Sequence, residues 1–355
     1  MAELLQAAKA HAPGRESDPG RASIEVVAPL RIDLAGGTLD LWPLWCFHPG
    51  ALTVNVAISP GVRLRLVVDD RLGGLIRHRA PDGRETLLRP LDRGQNLTAA
   101  VGFHFRPEGG VFIDVRDQPT VGSGLGGSSA YAVALARACL FVAGRRVAPT
   151  ALVDCLKNLE AGVLIAPTGV QDFWPALAGG PLALSFSPGG VRVERLATPT
   201  AWLADRLVLI DSGIAHASGM VNWEVYRARV EGSRTTTRAL EAIVTAAQRC
   251  RDALLAADEE GVGEAVAADW AARRTLAPAV APPAVEAMIA AGLQAGALAG
   301  KACGAGGGGS IAFWTPPLTR AAITAAALQA APAGARELPV ATVGRPPAVR
   351  IVAST

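Results

Sequence analysis

The feature that most constrains the fold of this chain is a glycine-rich segment, residues 119–130, that runs directly into an alanine-rich stretch. It reads Pro-Thr-Val-Gly-Ser-Gly-Leu-Gly-Gly-Ser-Ser-Ala, and residues 131–138 after it have the composition of a helix. Glycines let backbone N–H groups approach a ligand without a Cβ in the way. The N-terminus of a helix adds unpaired donors and about half a positive charge. The pattern therefore predicts a loop that wraps a phosphate chain, with the two serines offering hydroxyls to an accompanying metal.

Other phosphate-binding patterns fit this segment less well. Gly122, Gly124 and Gly127 satisfy the dinucleotide fingerprint G-x-G-x-x-G. However, Asp-Gln-Pro-Thr separates the loop from the preceding predicted strand, and the chain reads Arg-Arg-Val-Ala-Pro where the acidic residue for a ribose should stand. A Walker loop is excluded because the chain has no Gly-Lys-Ser/Thr, and Lys301 is followed by alanine. Protein-kinase signatures are absent as well.

Composition and charge narrow the class of protein. Half of the 355 residues are hydrophobic, which predicts an ordered globular protein long enough for two domains. A net charge of +3, with no basic run, argues against a nucleic-acid partner. The five cysteines lack Cys-x-x-Cys spacing, which favours a reducing compartment over a disulfide framework. Because no apolar stretch reaches the roughly 18 residues of a membrane span and no signal-peptide pattern is present, we expect a cytoplasmic protein with no membrane partner.

The predicted elements divide the chain into two α+β halves. Strands are predicted at residues 24–34, 52–58, 62–69, 111–115, 182–186, 207–211, 310–314 and 349–352. Helices are predicted at residues 131–142, 150–164, 221–257, 284–299 and 319–331. Pro60-Gly61 between two short strands indicates a hairpin. We place the boundary near residue 190, which gives domains of residues 23–190 and 191–355.

Two further segments carry residues suited to chemistry. Arg31 and Asp33 lie on the first predicted strand, and Asp40 follows the glycine turn after it. Glu160 on a predicted helix and Asp172 in the loop beyond it are two carboxylates 12 residues apart. They are able to divide the work of a phosphoryl transfer, one holding Mg²⁺ and the other facing the attacking hydroxyl. A surface glutamate and a turn aspartate are the plainer interpretation of the same two residues.

Taken together, these segments resemble the GHMP kinases, the family of galactokinase and of homoserine, mevalonate and phosphomevalonate kinases. Three family motifs occur in order: Pro-x-Arg with a glycine turn at 29–37, Pro-x4-Gly-Leu-Gly-Gly-Ser-Ser at 119–129, and Lys-Ala-Cys-Gly-Ala-Gly-Gly-Gly-Gly at 301–309. The resemblance spans residues 24–315. It is nearest to sugar kinases of the heptose-7-phosphate kinase and fucokinase type, through Leu-Ala-Gly-Gly-x-x-Asp and Gly-x-Gln-Asp. It implies a two-domain α+β GHMP kinase fold with the ATP and substrate cleft between the domains.

The resemblance also implies roles for individual residues. Asp172 is the catalytic carboxylate, Arg31 the basic residue beside it, and Ser128 with Glu160 the metal-binding pair. The implied ATP-binding residues are Gly122, Gly124, Leu125, Gly126, Gly127, Ser128 and Ser129. The implied substrate-binding residues are Gly37, Thr38, Asp40, Gln171, His216, Gly306 and Gly307. Trp174 and Trp223 are candidates for stacking on a sugar face, or for core packing.

The chain also departs from its relatives. Gly37-Thr38 replaces the Glu-His pair of galactokinase, which argues against galactose and predicts a reshaped sugar pocket.

The resulting functional hypothesis is an ATP- and Mg²⁺-dependent kinase that phosphorylates a hydroxyl of a sugar or sugar phosphate, either heptose-7-phosphate-like or 6-deoxyhexose-like. A mevalonate-type or other alcohol kinase is one alternative, and a non-catalytic sensor of ATP and sugar is another. Retention of Arg31, Glu160 and Asp172 together argues against the sensor. We expect a monomer or a homodimer.

Overall fold

A computed structural model describes residues 23–214 and 218–352. Its strands are β1 (Ser23–Ala35), β2 (Leu52–Val68), β3 (Ile76–Arg79), β4 (Glu85–Leu88), β5 (Val111–Asp117), β6 (Pro181–Ser187), β7 (Gly190–Arg195), β8 (Leu207–Asp211), β9 (Ala299–Ala302), β10 (Ser310–Trp314), β11 (Arg336–Leu338), β12 (Ala341–Thr342) and β13 (Arg350–Val352). Its α-helices are α1 (Leu97–Phe105), α2 (Gly127–Val142), α3 (Pro149–Leu164), α4 (Phe173–Ala178), α5 (Thr200–Ala204), α6 (Ser218–Val230), α7 (Arg234–Ala256), α8 (Glu259–Arg273), α9 (Pro283–Gln294) and α10 (Arg320–Gln329). In this described part of the chain, no helix combines the length and apolar character needed to cross a membrane.

The larger sheet is built around the long strand β2, which pairs antiparallel with β1, β5 and β6. Its path runs β13-β1-β2-β5-β3-β4, while β12 also pairs with β2 and β7 pairs with β6. The parallel pairing of β3 with β5 is the exception to an otherwise antiparallel arrangement among these pairs. Strand β1 is buried over most of its length, because helices pack on one face of the sheet and the second half of the chain closes on its end.

The predicted hairpin at Pro60-Gly61 is wrong, because both flanking segments belong to the single strand β2. Each pairs with β1, and the register shifts between Ala28 and Leu30, opposite the Pro-Gly pair. Proline has no N–H to donate to a ladder, and such a shift provides a position where none is needed. A Cβ on Gly61 would lie 2.2 Å from the carbonyl oxygen of Ala28, so only glycine allows the two backbones to approach this closely. A Pro-Gly pair therefore marks a bulge here and not a turn.

Helix α2 is the central helix of the first half and packs on β1 and β2. Alanines at 130, 132, 134 and 136 are buried together with Leu135. Small side chains let the helix lie close to the strands, so its first turn is held firmly against the sheet. The glycine loop that precedes α2 is thereby fixed at the end of β1.

The second half contains a four-stranded antiparallel sheet in the order β11-β8-β10-β9, covered by α8, α9 and α10. The stretch predicted as one helix over 221–257 is two helices, α6 and α7. Gly232 has a φ of 83°, and the Ser233 side chain accepts a hydrogen bond from the backbone N–H of Thr236. A left-handed glycine followed by a serine N-cap ends one helix and starts the next.

Two strands from the second half of the chain belong to the sheet of the first half. Strands β12 and β13, from the end of the described chain, pair with β2 and β1 of the larger sheet. The division into domains of residues 23–190 and 191–355 stays a prediction.

Candidate active site

The glycine loop adopts the conformation that its sequence predicts. Gly122, Gly124 and Gly126 have φ values of 80°, 72° and 73°, in the left-handed region that favours glycine. Gly126 is the N-cap of α2, and the helix begins at Gly127. The backbone N–H groups of the first turn of α2 therefore lie at the end of the loop, where an anion is favoured.

Ser128, Ser129 and Glu160 form an oxygen-rich cluster beside this helix N-terminus. The Ser128 hydroxyl donates to Oε1 of Glu160 over 2.6 Å, and the Ser129 hydroxyl lies 3.3 and 3.2 Å from the two carboxylate oxygens. Burial raises the pKa of Glu160 to about 7, although the hydrogen bond from Ser128 opposes it. The arrangement joins the loop to α3 and brings these three residues together, and their role in binding a metal stays a prediction.

The cluster fits Mg²⁺ in the chemistry of its donors. Mg²⁺ prefers oxygen ligands and is usually held by one or two carboxylates together with substrate phosphates and water. A single buried carboxylate with two hydroxyls at the mouth of a phosphate loop provides such a set. Among residues 23–214 and 218–352, no group of three His, Cys, Asp or Glu side chains lies close enough to hold a metal alone. A cation would therefore bind here together with the phosphates of the nucleotide.

Arg31 and Asp172 form a close ion pair at the end of β1. Nε and Nη2 of Arg31 lie 2.8 and 2.7 Å from the same oxygen, Oδ1 of Asp172. Nη1 donates to the carbonyl oxygen of Gly124, and the backbone N–H of Arg31 donates to that of Leu125 over 3.1 Å. Arg31 is 2% exposed, whereas the Asp172 side chain is 28% exposed. The pair therefore joins the nucleotide loop to a carboxylate that solvent can reach.

Two neighbouring carboxylates keep the buried Arg31 guanidinium protonated. Burial acts to lower the pKa of Arg31, but the carboxylates of Asp172 and Asp33 outweigh it and raise the pKa above its ordinary value. A Cβ on Gly126 would lie 3.2 Å from Cβ of Asp172, so the helix N-cap is in contact with this carboxylate. The predicted catalytic pair thus lies directly against the predicted ATP loop.

Asp40 is a second buried carboxylate near Asp172. Its Oδ2 accepts a hydrogen bond of 3.0 Å from the backbone N–H of Gln171, and a Cβ on Gly169 would lie 1.7 Å from the same oxygen. Burial raises the pKa of Asp40 to about 6, helped by the negative charge of Asp172 and opposed by the hydrogen bond from Gln171. The turn at 36–40 and the Gly-x-Gln-Asp segment are therefore brought together.

Four more of the predicted substrate residues lie in the turn beside Arg273 or in the segment beside Val280. Thr38 has a φ of 77°, which is unusual for a residue with a side chain, and Gly37 packs against the guanidinium of Arg273. Gly306 and Gly307 pack on Val280, whose carbonyl oxygen accepts from the Gly307 N–H over 2.7 Å. His216 lies outside the described residues. Contact of any of these with an acceptor stays a prediction.

The third glycine segment packs backbone to backbone on the nucleotide loop. A Cβ on Gly304 would lie 2.9 Å from the carbonyl oxygen of Gly124, and one on Gly309 would lie 2.6 Å from that of Gly122. The N–H of Ser310 donates to the carbonyl of Ser123 over 2.8 Å. The second half of the chain therefore closes on the loop through this segment.

Sequence reasoning missed a buried charge cluster, which we define as Asp33, Asp269, Arg273 and Lys301. All four are at most 1% exposed. Lys301 Nζ lies 2.6 Å from Oδ2 of Asp269 and 3.2 Å from Oδ2 of Asp33. Arg273 donates to the carbonyl oxygen of Gly304 over 2.5 Å. The available signals were weak: Lys301 opens the third motif, Asp33 stands on β1, and Asp269 and Arg273 lie one turn apart on α8.

The tryptophans divide between core and surface. Trp174 is buried in α4, whereas Trp223 on α6 is about half exposed and stacks on Tyr226. Of the two predicted alternatives for Trp174, core packing is the one observed.

Comparison with protein families gives matches in both halves of the chain. The model described as the GHMP kinases N terminal domain matches residues 95–180, and the one described as GHMP kinases C terminal matches residues 250–334. A search of curated proteins by sequence finds no match.

Solved structures share the fold at low identity. The galactokinase of Lactococcus lactis, complexed with galactose, aligns with a TM-score of 0.72 and 16% identity over 91% of this chain and 94% of that one. A D-glycero-D-manno-heptose 1-phosphate kinase from Bacteroides thetaiotaomicron aligns with a TM-score of 0.67 and 20% identity over 91% and 97%. The mevalonate kinase of Methanococcus jannaschii aligns with a TM-score of 0.70 and 13% identity over 90% and 98%.

These findings confirm the predicted α+β kinase fold. Because the models for both halves of one family match in the order in which that family has them, the chain belongs to the GHMP kinases, phosphotransferases that act on hydroxyl groups.

Proposed function

We propose that this protein transfers the γ-phosphoryl group of ATP to a hydroxyl of a sugar or sugar phosphate. The observation that carries the proposal is the contact of Asp172 with both Arg31 and the N-cap glycine of the phosphate loop. That contact puts a partly exposed carboxylate beside the place where the loop would hold the phosphates. A hydroxyl bound there would face the end of the phosphate chain.

The residues of the loop supply the nucleotide side of the site. The backbone N–H groups at the start of α2 and the positive end of that helix favour the negative phosphates. Glu160, Ser128 and Ser129 would hold Mg²⁺, which when bound neutralises charge on the phosphates. Because the glycines at 124 and 304 have their backbones in contact, no side chain intrudes between the two segments.

Asp172 supplies the acceptor side. Arg31 contacts Oδ1 through two nitrogens, which orients the carboxylate, and Oδ2 would then take the acceptor hydroxyl. The acceptor oxygen forms a bond to the γ-phosphorus, the bond from that phosphorus to the bridging oxygen of ADP breaks, and the hydroxyl proton passes to Oδ2 of Asp172. Positioning and charge stabilisation provide most of the rate enhancement in such a transfer.

The groups around Asp172 support a polyol acceptor. Asp40 and the backbone of Gln171 lie next to it, and carboxylates and amides are the usual partners of sugar hydroxyls. A mevalonate-type acceptor has fewer hydroxyls than a sugar and would leave more of these polar groups unused. We therefore favour the sugar class over the acid class. Sugar kinases and mevalonate kinases share this fold equally, so the choice rests on the side chains around Asp172.

The test is ADP release with ATP and Mg²⁺ across a panel of free hexoses, heptoses, 6-deoxy sugars, their phosphates and mevalonate, with products identified by mass. Turnover on one sugar class that is lost in Asp172→Asn, and kept in the matched variant Asp154→Asn on the exposed side of α3, is the expected result. Turnover on mevalonate alone would overturn the substrate class. Binding of ATP and a sugar without ADP release would replace the kinase with a sensor.

A further inference from the structure

We propose that Lys301 is a positioning residue for the Arg31–Asp172 pair and acts on it through Asp33. The inference rests on the proposed function in so far as Asp172 is taken to face the acceptor. Lys301 touches neither residue of the pair in the contacts described above. Its effect is carried by one buried carboxylate that lies between the second half of the chain and the catalytic arginine.

Asp33 is held by groups from both halves of the chain. Its Oδ1 accepts 2.8 Å from the backbone N–H of Gly304 and lies 3.5 Å from Nη1 of Arg31. Its Oδ2 lies 3.2 Å from Nζ of Lys301. Lys301 and Gly304 belong to the third motif, so this motif, together with the nearby Arg273, helps to neutralise a carboxylate that also faces Arg31.

Arg31 is therefore placed between two carboxylates that compete for it. Its nitrogens lie 2.7 and 2.8 Å from Asp172 but 3.5 Å from Asp33. Both carboxylates are close enough for strong attraction in a buried environment. The unequal distances follow if Lys301 already satisfies Asp33 and leaves Arg31 to Asp172. The pKa of Asp33 fits this view, since burial would raise it but Lys301, Arg31 and Arg273, in that order, lower it.

Loss of Lys301 should then draw Arg31 towards Asp33. A buried carboxylate without its cation is strongly unfavourable, and the nearest mobile charge moves to compensate. The guanidinium would leave the position that orients Oδ1 of Asp172. A misplacement of about 1 Å in such a group reduces turnover by about a hundredfold. The nucleotide would still bind, because the backbone N–H groups at the start of α2 and the bond from the backbone N–H of Arg31 to Leu125 do not involve the guanidinium.

The first experiment separates this role from a general loss of structure. Lys301→Met alone would strand the charge of Asp269, so it is combined with Asp269→Asn, whose amide oxygen still accepts from the N–H of Gly36. We expect a folded protein whose kcat is lower by about 10- to 100-fold while the KM for ATP stays within about twofold. The matched control is Arg274→Met/Glu286→Gln, which removes a 2.8 Å ion pair between the C-cap of α8 and helix α9 at the surface. A kcat equal to that of the control would overturn the proposal.

The second experiment needs no turnover. In the Asp269→Asn background, a double-mutant cycle pairs Lys301→Met with Asp172→Asn and measures the free energy of unfolding in urea. If Lys301 acts through Asp33 on Arg31, the destabilisation caused by Asp172→Asn shrinks once Lys301 is gone, because Arg31 has already left Asp172. Additive effects, which are usual for residues that share no partner, would refute the relay. If no acceptor in the panel supports turnover, the proposed function fails while this cycle still decides the inference.

Discussion

Asp40 should make the folded chain less stable when it is ionised, and the size of this effect can be worked out from its burial. Its pKa is raised from an ordinary 3.8 to about 6, chiefly by burial. The native state therefore binds the proton more tightly than the unfolded chain. The stabilisation is complete below pH 3.8, is lost as the pH rises, and is gone above about pH 6. A shift of this size corresponds to about 3 kcal/mol.

Asp40→Asn imitates the protonated carboxyl at every pH, and its amide oxygen is able to accept the same hydrogen bond from Gln171. The variant should therefore exceed the wild type in free energy of unfolding by about 3 kcal/mol near pH 8, and by about 1 kcal/mol near pH 4.5. At the same time the KM for the acceptor should rise while the KM for ATP stays constant. A stabilised variant that binds its acceptor poorly would show that this carboxylate is kept for binding at a cost in stability.

The assay is urea unfolding of wild type and variant at several pH values between these limits. Taking the difference between the two proteins removes the titration of all groups that they share. Asp154→Asn on exposed α3 is the control and should give a difference that does not change with pH. A difference for Asp40→Asn that is the same near pH 4.5 and pH 8, or a variant less stable than wild type at both, would refute the reasoning.

Three further predictions concern the catalytic carboxylate, the metal and the acceptor turn. Asp172→Asn should reduce kcat by about 10²- to 10⁴-fold with ATP affinity nearly intact, and near-normal turnover would remove Asp172 from its role. Glu160→Gln should raise the Mg²⁺ concentration for half-maximal rate by about tenfold or more, whereas an unchanged metal titration would count against the assignment. Gly37→Ala would place a Cβ 2.1 Å from Nη1 of the buried Arg273 and should lower the free energy of unfolding by about 1–3 kcal/mol. Gly162→Ala, with open space around it on α3, is its control and should be neutral or stabilising, so equal losses in both variants would contradict the packing argument.

Local chemistry made part of the site predictable from the sequence. Consecutive glycines before a helix, with two serines, constrain the backbone strongly enough to indicate a phosphate loop without any knowledge of the fold. The pairing of Arg31 with Asp172 joins residues 141 positions apart, and only the family resemblance brought them together before the structure did.

The course of strand β2 and the buried charge cluster depended on tertiary structure. Pro60-Gly61 has the composition of a turn, but the pairing of both flanks with β1 overrides that local preference. The buried charge cluster could not be foreseen, because charged residues on separate helices and strands look like ordinary surface residues until the fold encloses them. Arg273 and Arg274 illustrate the difficulty, since adjacent arginines, the last residue of α8 and its C-cap, lie respectively in the core and at the surface.

The pairing of β13 with β1 has a consequence for how the protein is made. Ser23 contacts Val352 across 329 positions of sequence, and β12 reaches β2 over a similarly long interval. During synthesis the edge of β1 remains without this neighbour until residues 350–352 have been translated. An uncovered strand edge is a template for pairing with other chains, and contacts this distant in sequence form slowly. The emerging first half is thus the stage at which aggregation would compete with folding, and at which a chaperone would be of most use.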